Sequence, residues 1–229
     1  MIKRFLDIVL STIAIIILSP VLIPVVIILK LTGERYIFYK QERIGKNEEP
    51  FNLLKFATMF KDSPHMIGGN ITTKDDPRIL PFGKFLRKYK INELPQIINI
   101  LLGDMSIIGR RPTVREHYDY FDNKTKNIIS KNKPGLSGIS SIIFRDEEKY
   151  FVNKEVSVNK KYYKEKIAPF KGELEIWYFN NQSVVIDILL IFITLLSVIK
   201  PSINIYNYLF PDLPRHIIFN PEKSMHLGK

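Results

Sequence analysis

An apolar run near the N-terminus is the feature that most constrains the fold. Residues 8–29 are 22 consecutive residues without a charged side chain. At about 1.5 Å of rise per residue, a helix of this length could cross the hydrocarbon core of a bilayer. Lys30 and further charged sequence follow the run, and no small-residue cleavage site does, which argues against a cleaved secretory signal. The run therefore predicts a membrane-embedded helix.

Prolines and flanking charges indicate how that helix meets the membrane. Ser19-Pro20 and Pro24 lie mid-run, where a proline removes a backbone hydrogen bond and bends a helix. Basic residues flank both ends of the run: Lys3, Arg4, Lys30, Arg35, Lys40, Arg43 and Lys46. Positive flanks favour the cytoplasmic side. We expect a re-entrant helix, broken at Ser19-Pro20; a spanning helix and a buried core helix are the alternatives.

The segment from Arg87 to Pro112 predicts an amphipathic helix. Its apolar residues fall at i, i+3, i+4, i+7 and i+8: Leu94, Ile97, Ile98, Leu101 and Leu102. Asn92 is a good N-cap for that helix and Gly103 a natural terminator. The N-terminus of a helix favours anions through its free N–H groups and its dipole.

The polar residues of this segment indicate chemistry. Asn92 and Glu93 lie at the predicted helix start, and Arg110 and Arg111 follow about one helix length later. A carboxylate, an amide and two guanidiniums suggest an anionic, metal-bound substrate. The alternative is a capped helix with solvated ends.

Composition narrows the ligand classes. The chain has 34 Lys and Arg against 23 Asp and Glu, a formal net charge of +11, which points to nucleic acid, an anionic membrane surface or phosphorylated ligands. No nucleic-acid-binding motif is recognised and the basic residues are spread along the chain, so nucleic acid is not expected as a partner. The absence of cysteine excludes disulfides and thiolate chemistry. No two of the four histidines have zinc-ligand spacing.

The rest of the chain indicates one hairpin and several helices. Residues 36–59 hold two aromatic-rich runs joined by a charged loop, which predicts a β-hairpin. Lys55 in the second run either faces solvent or reaches a phosphate. Residues 61–76 are predicted to be a loop and residues 133–138 a turn.

The C-terminal half reads as mainly helical. Residues 113–131 are polar and helical in pattern, and most charges of residues 146–171 are expected on a solvated helix face. Val184 to Ile199 is apolar but short for a membrane span, so a surface helix and a core helix compete. The tail from Pro201 is expected to be an irregular docked arm.

Taken in order, these pieces resemble the bacterial sugar transferases, the monotopic phosphoglycosyl transferases. The resemblance lies in KRFLDIVLS, LSP, FYKQERIG, PFNLLKFATM, DPRI, GKFLRK, ELPQIINILLGDMSIIG, KPGLSG and ELEIWYFNNQS. It covers about residues 1–200. So many collinear, correctly spaced motifs make it specific.

The resemblance implies a helix-dominated α+β fold: a re-entrant membrane helix (1–32), one catalytic core with a small β-hairpin region and amphipathic interfacial helices (33–200), and a C-terminal arm (201–229). It implies transfer of a phosphosugar from a UDP-sugar to polyprenyl (undecaprenyl) phosphate, with release of UMP and with Mg²⁺ as cofactor. The expected location is the cytoplasmic face of the bacterial inner membrane. Anionic lipids and downstream glycosyltransferases are the expected further partners.

The resemblance also implies roles for single residues. Glu93 matches a glutamate that helps to hold magnesium, and Arg87 the arginine before the family's Asp-Glu pair. Three residues match positions expected to bind substrate: Lys55, Arg111 and Arg145.

Two positions depart from the family pattern. Asn92 stands where the family has its nucleophilic aspartate, and an amide carries no charge to offer phosphorus. Three interpretations follow: an active branch using Glu93 or direct attack by the polyprenyl phosphate, a catalytically impaired paralogue that binds substrate or scaffolds an assembly complex, or a laboratory variant. Arg110 replaces the usual proline and adds a cation that is expected to contact substrate.

The re-entrant arrangement can be tested by labelling. Because the chain lacks cysteine, Lys3→Cys and Arg35→Cys each supply a unique thiol. Both thiols should react with a membrane-impermeant maleimide only from the cytoplasmic side of sealed vesicles. Labelling of the two thiols from opposite sides would instead show a spanning helix.

Overall fold

A computed structural model describes residues 2–63, 66, 76–145, 147–150, 156–200 and 205–216. The chain forms two compact units, Met1–Ile107 and Ile108–Lys229. Helices dominate and a few short strands accompany them. The helix-dominated class with some β structure is therefore confirmed. The predicted loop at residues 61–76 and the C-terminal arm lie largely outside the described residues.

In the first unit, one long helix precedes a hairpin and two short helices. The elements are α1 (Ile2–Leu31), β1 (Phe38–Ile44), a 3₁₀ turn (Lys46–Glu48), β2 (Pro50–Phe56), α2 (Pro81–Lys88), a 3₁₀ turn (Ile91–Glu93), α3 (Gln96–Leu102) and β3 (Ser106–Ile108). Buried apolar side chains of α1, β2 and α2 form a core cluster: Val25, Leu29, Phe56 and Leu86.

Helix α1 is continuous through the expected break. Pro20 has no N–H to donate to the Ile16 carbonyl, and the Ser19 hydroxyl donates to that carbonyl instead, at 2.8 Å. Pro24 also lies inside the helix. Among the described residues, α1 is the one helix long and apolar enough to cross a membrane by length and composition. Entry and return through one membrane face stays a prediction.

Two charged residues join the start of α1 to the end of α3. The Arg4 guanidinium donates to the carbonyls of residues 100–101 at 2.6 and 2.8 Å, which satisfies carbonyls that the last turn of a helix leaves open. Asp7 is buried, and its Oδ1 accepts from the Ser106 hydroxyl and the Ile107 N–H, both at 2.9 Å. Arg4 is therefore a structural cap as well as a flanking charge.

The predicted hairpin is confirmed. Strands β1 and β2 pair antiparallel, with Tyr39 opposite Lys55. The outer edge of β2 is completed by a side chain of α3: the Leu54 N–H donates to Asn99 Oδ1 at 2.9 Å, and Asn99 Nδ2 donates to the Asn52 carbonyl at 2.8 Å. Asn99 therefore replaces a neighbouring strand and fixes α3 against the hairpin.

Helix α3 begins later than the sequence predicted. The residues before it form the 3₁₀ turn Ile91–Glu93, and Pro95 occupies the N-cap position, so Asn92 caps no helix. The buried face consists of Gln96, Ile97, Asn99 and Ile100, whereas Leu102 is 70% exposed. Gly103 ends the helix with φ 100°, as expected.

In the second unit, helices pack around one central helix. The elements are α4 (Arg115–Tyr118), α5 (Asn123–Ile129), β4 (Gly135–Ser137), α6 (Ile139–Ile143), a 3₁₀ turn (Glu147–Tyr150), α7 (Val156–Tyr162), a π turn (Tyr163–Ile167), α8 (Ala168–Asn181), α9 (Val184–Ile199) and α10 (Tyr206–Leu209). Helices α5 and α6 pack on α8, and α9 packs on α6 and β4. The expected turn at residues 133–138 contains β4.

Helix α9 has the buried face expected of a core helix, whereas its place on a membrane surface stays a prediction. Leu190 and Ile193 are fully buried, as in a core helix, whereas Ile188 and Leu195 on another face are 57% and 59% exposed. The helix therefore packs one apolar face and leaves another uncovered among the described residues.

The edge contact of Asn99 should be important for stability. We expect Asn99→Leu to lower the free energy of unfolding by about 2 kcal/mol, because the Asn52 carbonyl and the Leu54 N–H lose their partners. Thermal unfolding in detergent measures the effect. Leu102→Ala is the control, since that side chain is exposed, and equal melting temperatures for the two variants would contradict the assigned role.

Candidate active site

The turn Ile91–Glu93 is the centre of the candidate site in the first unit. It follows Lys90, whose φ of 58° lies in the left-handed region, and the Glu93 N–H donates to the Lys90 carbonyl at 3.2 Å. The turn packs against β2, which carries Lys55, and against α2, which carries Arg87. The fold thus gathers the elements that hold four of the predicted site residues.

Arg87 is held close to the chain that follows β2. Its Nη1 donates to the Thr58 hydroxyl at 3.3 Å. Helix α2 approaches the same residue at Gly83, where a Cβ would lie 2.2 Å from the Thr58 carbonyl oxygen. Only glycine permits that approach, so Gly83 helps to determine where Arg87 lies.

Asn92 is buried without a hydrogen-bond partner for its carbonyl oxygen. The residue is 8% exposed, and its Oδ1 contacts no donor in the described structure. An unsatisfied buried acceptor is costly, and it calls for a donor or a cation. Glu93, the next residue, is only partly buried.

Magnesium fits these two residues. Mg²⁺ prefers oxygen ligands and takes one or two carboxylates together with substrate phosphates, and the Glu93 carboxylate and the orphaned Asn92 oxygen supply such ligands. The described residues contain no cluster of three or more His, Asp or Glu side chains that could hold a metal. A bound ion would therefore need substrate oxygens to complete its shell.

The second unit contains the predicted arginines in different surroundings. Arg110 is 3% exposed; its Nε donates to the Ile129 carbonyl at 3.2 Å and its guanidinium lies 5.5 Å from the centre of the Tyr118 ring. Arg111 is exposed. Arg145 donates from Nη1 to the Ser197 carbonyl. Of the adjacent pair, Arg111 is therefore the one whose side chain is exposed.

Two buried charges on α8 were missed by the sequence analysis. Glu175 is 5% exposed, and burial raises its pKa to about 7 although hydrogen bonds from Ser140 and from the Arg111 backbone oppose the rise. Lys171 is also 5% exposed, and burial lowers its pKa. It lay at the end of a segment expected to face solvent. The sequence signal that could have indicated them is the i, i+4 spacing of Lys171 and Glu175 in the aromatic-rich segment that forms α8.

Comparison with known proteins shows the family. Residues 1–201 match the family model described as bacterial sugar transferase. The chain is a bacterial sugar transferase. The resemblance drawn from the motifs is thus confirmed over the length from which it was inferred, and the family is one of membrane-associated sugar-phosphate transferases.

Two of the following three relatives are named for their substrates. The exopolysaccharide production protein ExoY of Sinorhizobium fredii is 36% identical over 162 residues, 65% of this chain and 71% of that protein. A UDP-N-acetylgalactosamine-undecaprenyl-phosphate N-acetylgalactosaminephosphotransferase of Aeromonas hydrophila is 30% identical over 200 residues, 86% of this chain and 44% of that protein. The UDP-glucose:undecaprenyl-phosphate glucose-1-phosphate transferase of Escherichia coli is 30% identical over 198 residues, 85% of this chain and 39% of that protein. This sugar transferase therefore spans less than half the length of its longer relatives.

The pKa of Glu175 predicts a pH-dependent stability for this sugar transferase. A folded pKa of about 7 above the ordinary 4.5 means that the folded state binds the proton more tightly, so stability falls as pH rises from 4.5 to 7. The loss should be roughly 3 kcal/mol over that window. Glu175→Gln carries no charge and should remove this dependence.

Melting temperatures between pH 5 and pH 8 measure the effect in detergent. Relative to Glu175→Gln, the wild type should lose stability as the pH rises. Glu173→Gln on the same helix is the control, because Glu173 is exposed and its curve should follow the wild type. Parallel curves for the wild type and Glu175→Gln would contradict the raised pKa.

Proposed function

We propose that this sugar transferase moves a phosphosugar from a UDP-sugar to undecaprenyl phosphate and releases UMP. The reaction would be the first membrane step in assembly of a surface glycan, at the cytoplasmic face of the inner membrane. Family membership supports the reaction class, and the names of the relatives support both substrates. Helix α1 supports a place at the membrane.

The observation that carries the proposal is the turn Ile91–Glu93 with its surroundings. It joins a partly exposed carboxylate to a buried, unpartnered amide oxygen, and it packs on the elements of Lys55 and Arg87. Cleavage of a diphosphate requires positive charge near the oxygens that gain charge. Lys55 and Arg87, on the elements that pack against this turn, would supply it.

Asn92 changes the identity of the nucleophile. Its amide is uncharged and its nitrogen lone pair is delocalised, so it does not replace a carboxylate. One route uses a Glu93 oxygen, which attacks the sugar-side phosphorus, displaces UMP and is displaced in turn by an oxygen of undecaprenyl phosphate. The other route uses that phosphate oxygen directly, with one displacement of UMP. Both routes form the same undecaprenyl diphosphosugar.

Magnesium would be held by the Glu93 carboxylate and by Asn92 Oδ1. Bound there, it would supply positive charge to the phosphate oxygens of the substrates. In this role Asn92 keeps an acceptor at the position of the family's aspartate and gives up the covalent step.

The proposal is tested by UMP release. The full chain in nanodiscs, with Mg²⁺, undecaprenyl phosphate and a panel of UDP-sugars, should release UMP from at least one of them. Glu93→Gln should lower the rate by about a hundredfold or more, as loss of a group that stabilises the transition state does. The exposed Glu173→Gln serves as the matched control. Mass spectrometry of the chain after incubation with UDP-sugar alone distinguishes the routes, because only the first leaves a phosphosugar on Glu93.

Three outcomes would change the conclusion. UMP release that persists in Glu93→Gln would remove Glu93 from the essential groups. No release from any sugar, together with release gained by Asn92→Asp, would contradict the proposed activity of this chain and favour a substrate-binding paralogue or a laboratory variant. No release from either protein would contradict the choice of substrates.

A further inference from the structure

One face of α8 binds the segments next to Arg111, which is exposed, and Arg145, which is partly buried. Lys171, Glu175 and Tyr178 lie at i, i+4 and i+7, which places them on the same side of the helix. All three are buried. Each makes a polar contact with a different part of the chain, and two of those parts adjoin Arg111 and Arg145.

Glu175 holds the backbone of Arg111. Its Oε1 accepts from the Arg111 N–H at 3.4 Å and from the Ser140 hydroxyl, whereas its Oε2 is buried without a partner. The positive charge of Arg110, which precedes Arg111, opposes part of the rise that burial causes in the pKa of this carboxyl. The carboxylate therefore fixes the peptide between two arginines, one buried and one exposed.

Lys171 holds the turn that follows Arg145. Its Nζ donates to both carboxylate oxygens of Glu147 at 2.8 Å, and it lies 5.0 Å from the ring centre of Phe144, the residue before Arg145. The π turn ahead of α8 places Tyr163 over the same ammonium, with the ring centre at 5.0 Å. Such π turns are frequent at functional sites.

A buried carboxyl group with one unpartnered oxygen costs stability in either protonation state. Apolar side chains of the same volume would usually serve at least as well. A role in positioning the Arg111 backbone would account for retaining a carboxyl group here, since Glu175 contacts the Arg111 N–H.

We infer that Glu175 is a positioning residue that holds the backbone of Arg111 so that the exposed Arg111 side chain binds the diphosphate of a nucleotide. The inference rests on the proposed function, since that function makes a nucleoside diphosphate sugar the substrate. Glu175 itself touches no substrate in this assignment and acts only through Arg111.

A double-mutant cycle tests the inference with UDP as the probe. Isothermal titration calorimetry on the full chain in nanodiscs with Mg²⁺ gives the dissociation constant for the wild type, Glu175→Leu, Arg111→Ala and the double variant. Glu175→Leu should weaken UDP binding about tenfold, the scale of one lost hydrogen bond to a charged group. In the Arg111→Ala background the same change should have no further effect, because its path to the ligand is gone.

Conservative and control variants complete the design. Glu175→Gln retains a carbonyl acceptor for the Arg111 N–H and should bind UDP nearly as the wild type does. Glu173→Leu alters an exposed glutamate on the same helix and should leave binding unchanged. Where Glu175→Leu does not fold, Glu175→Asp, which withdraws the carboxylate by one methylene, replaces it in the cycle.

The outcomes separate this inference from the proposed function. Equal weakening by Glu175→Leu in both backgrounds would show a merely structural role and overturn the inference, and so would an absence of UDP binding by the wild type. A coupled cycle without UMP release from any UDP-sugar would leave the positioning role standing and refute the proposed reaction. UMP release with an additive cycle would refute the positioning role alone.

Discussion

The arrangement of the first unit depends on the Asn99 side chain, which makes the hydrogen bonds that a neighbouring strand would make with β2. Asn99 accepts from the Leu54 N–H and donates to the Asn52 carbonyl, as a paired strand would. A two-stranded hairpin alone is marginally stable, and its open edge needs a partner. By supplying that partner from α3, the chain fixes the helix and the preceding Ile91–Glu93 turn beside the strand that carries Lys55. The same contact that completes the hairpin therefore also positions the turn of the candidate active site beside β2.

Sequence patterns predicted the elements whose cause is local. The uncharged run predicted α1, and two aromatic-rich runs with a charged loop predicted the hairpin. A largely apolar stretch gave the bounds of α9, Val184–Ile199. Elements governed by tertiary contacts were predicted less well. The start of α3 moved from Asn92 to Gln96, because Lys90 adopts a left-handed conformation and a 3₁₀ turn follows it. The spacing of apolar residues predicts that a helix is present, but it does not show where the helix begins or that a 3₁₀ turn precedes it.

The residues of the candidate site also differ in whether the sequence could predict them. Motif resemblance predicted Lys55, Arg87, Glu93, Arg111 and Arg145 as site residues, since these residues lie in the motifs that resemble the family. It predicted that Arg110 and Arg111 both contact substrate, whereas the structure buries the first and exposes the second. Nor could it find Glu175, whose proposed role rests on a contact with a backbone N–H 64 residues away in sequence. Burial and pairing of charges are properties of the fold, and the sequence around Glu173 and Glu175 shows two similar glutamates.

Asparagine at position 92 has nearly the shape of an aspartate and a different chemistry. Asparagine and aspartate have nearly the same volume, so the buried space at this turn accepts either, but only the carboxylate offers a charge to phosphorus. The cost of burying an unpaired charge is much greater than that of burying an amide, so asparagine is the less demanding residue when the site is empty of cations. Its orphaned Oδ1 still needs a partner, and a cation beside Glu93 would satisfy it. An amide is unsuited to nucleophilic attack but can be a metal ligand, so in the proposed reaction the nucleophile would be Glu93 or the acceptor phosphate.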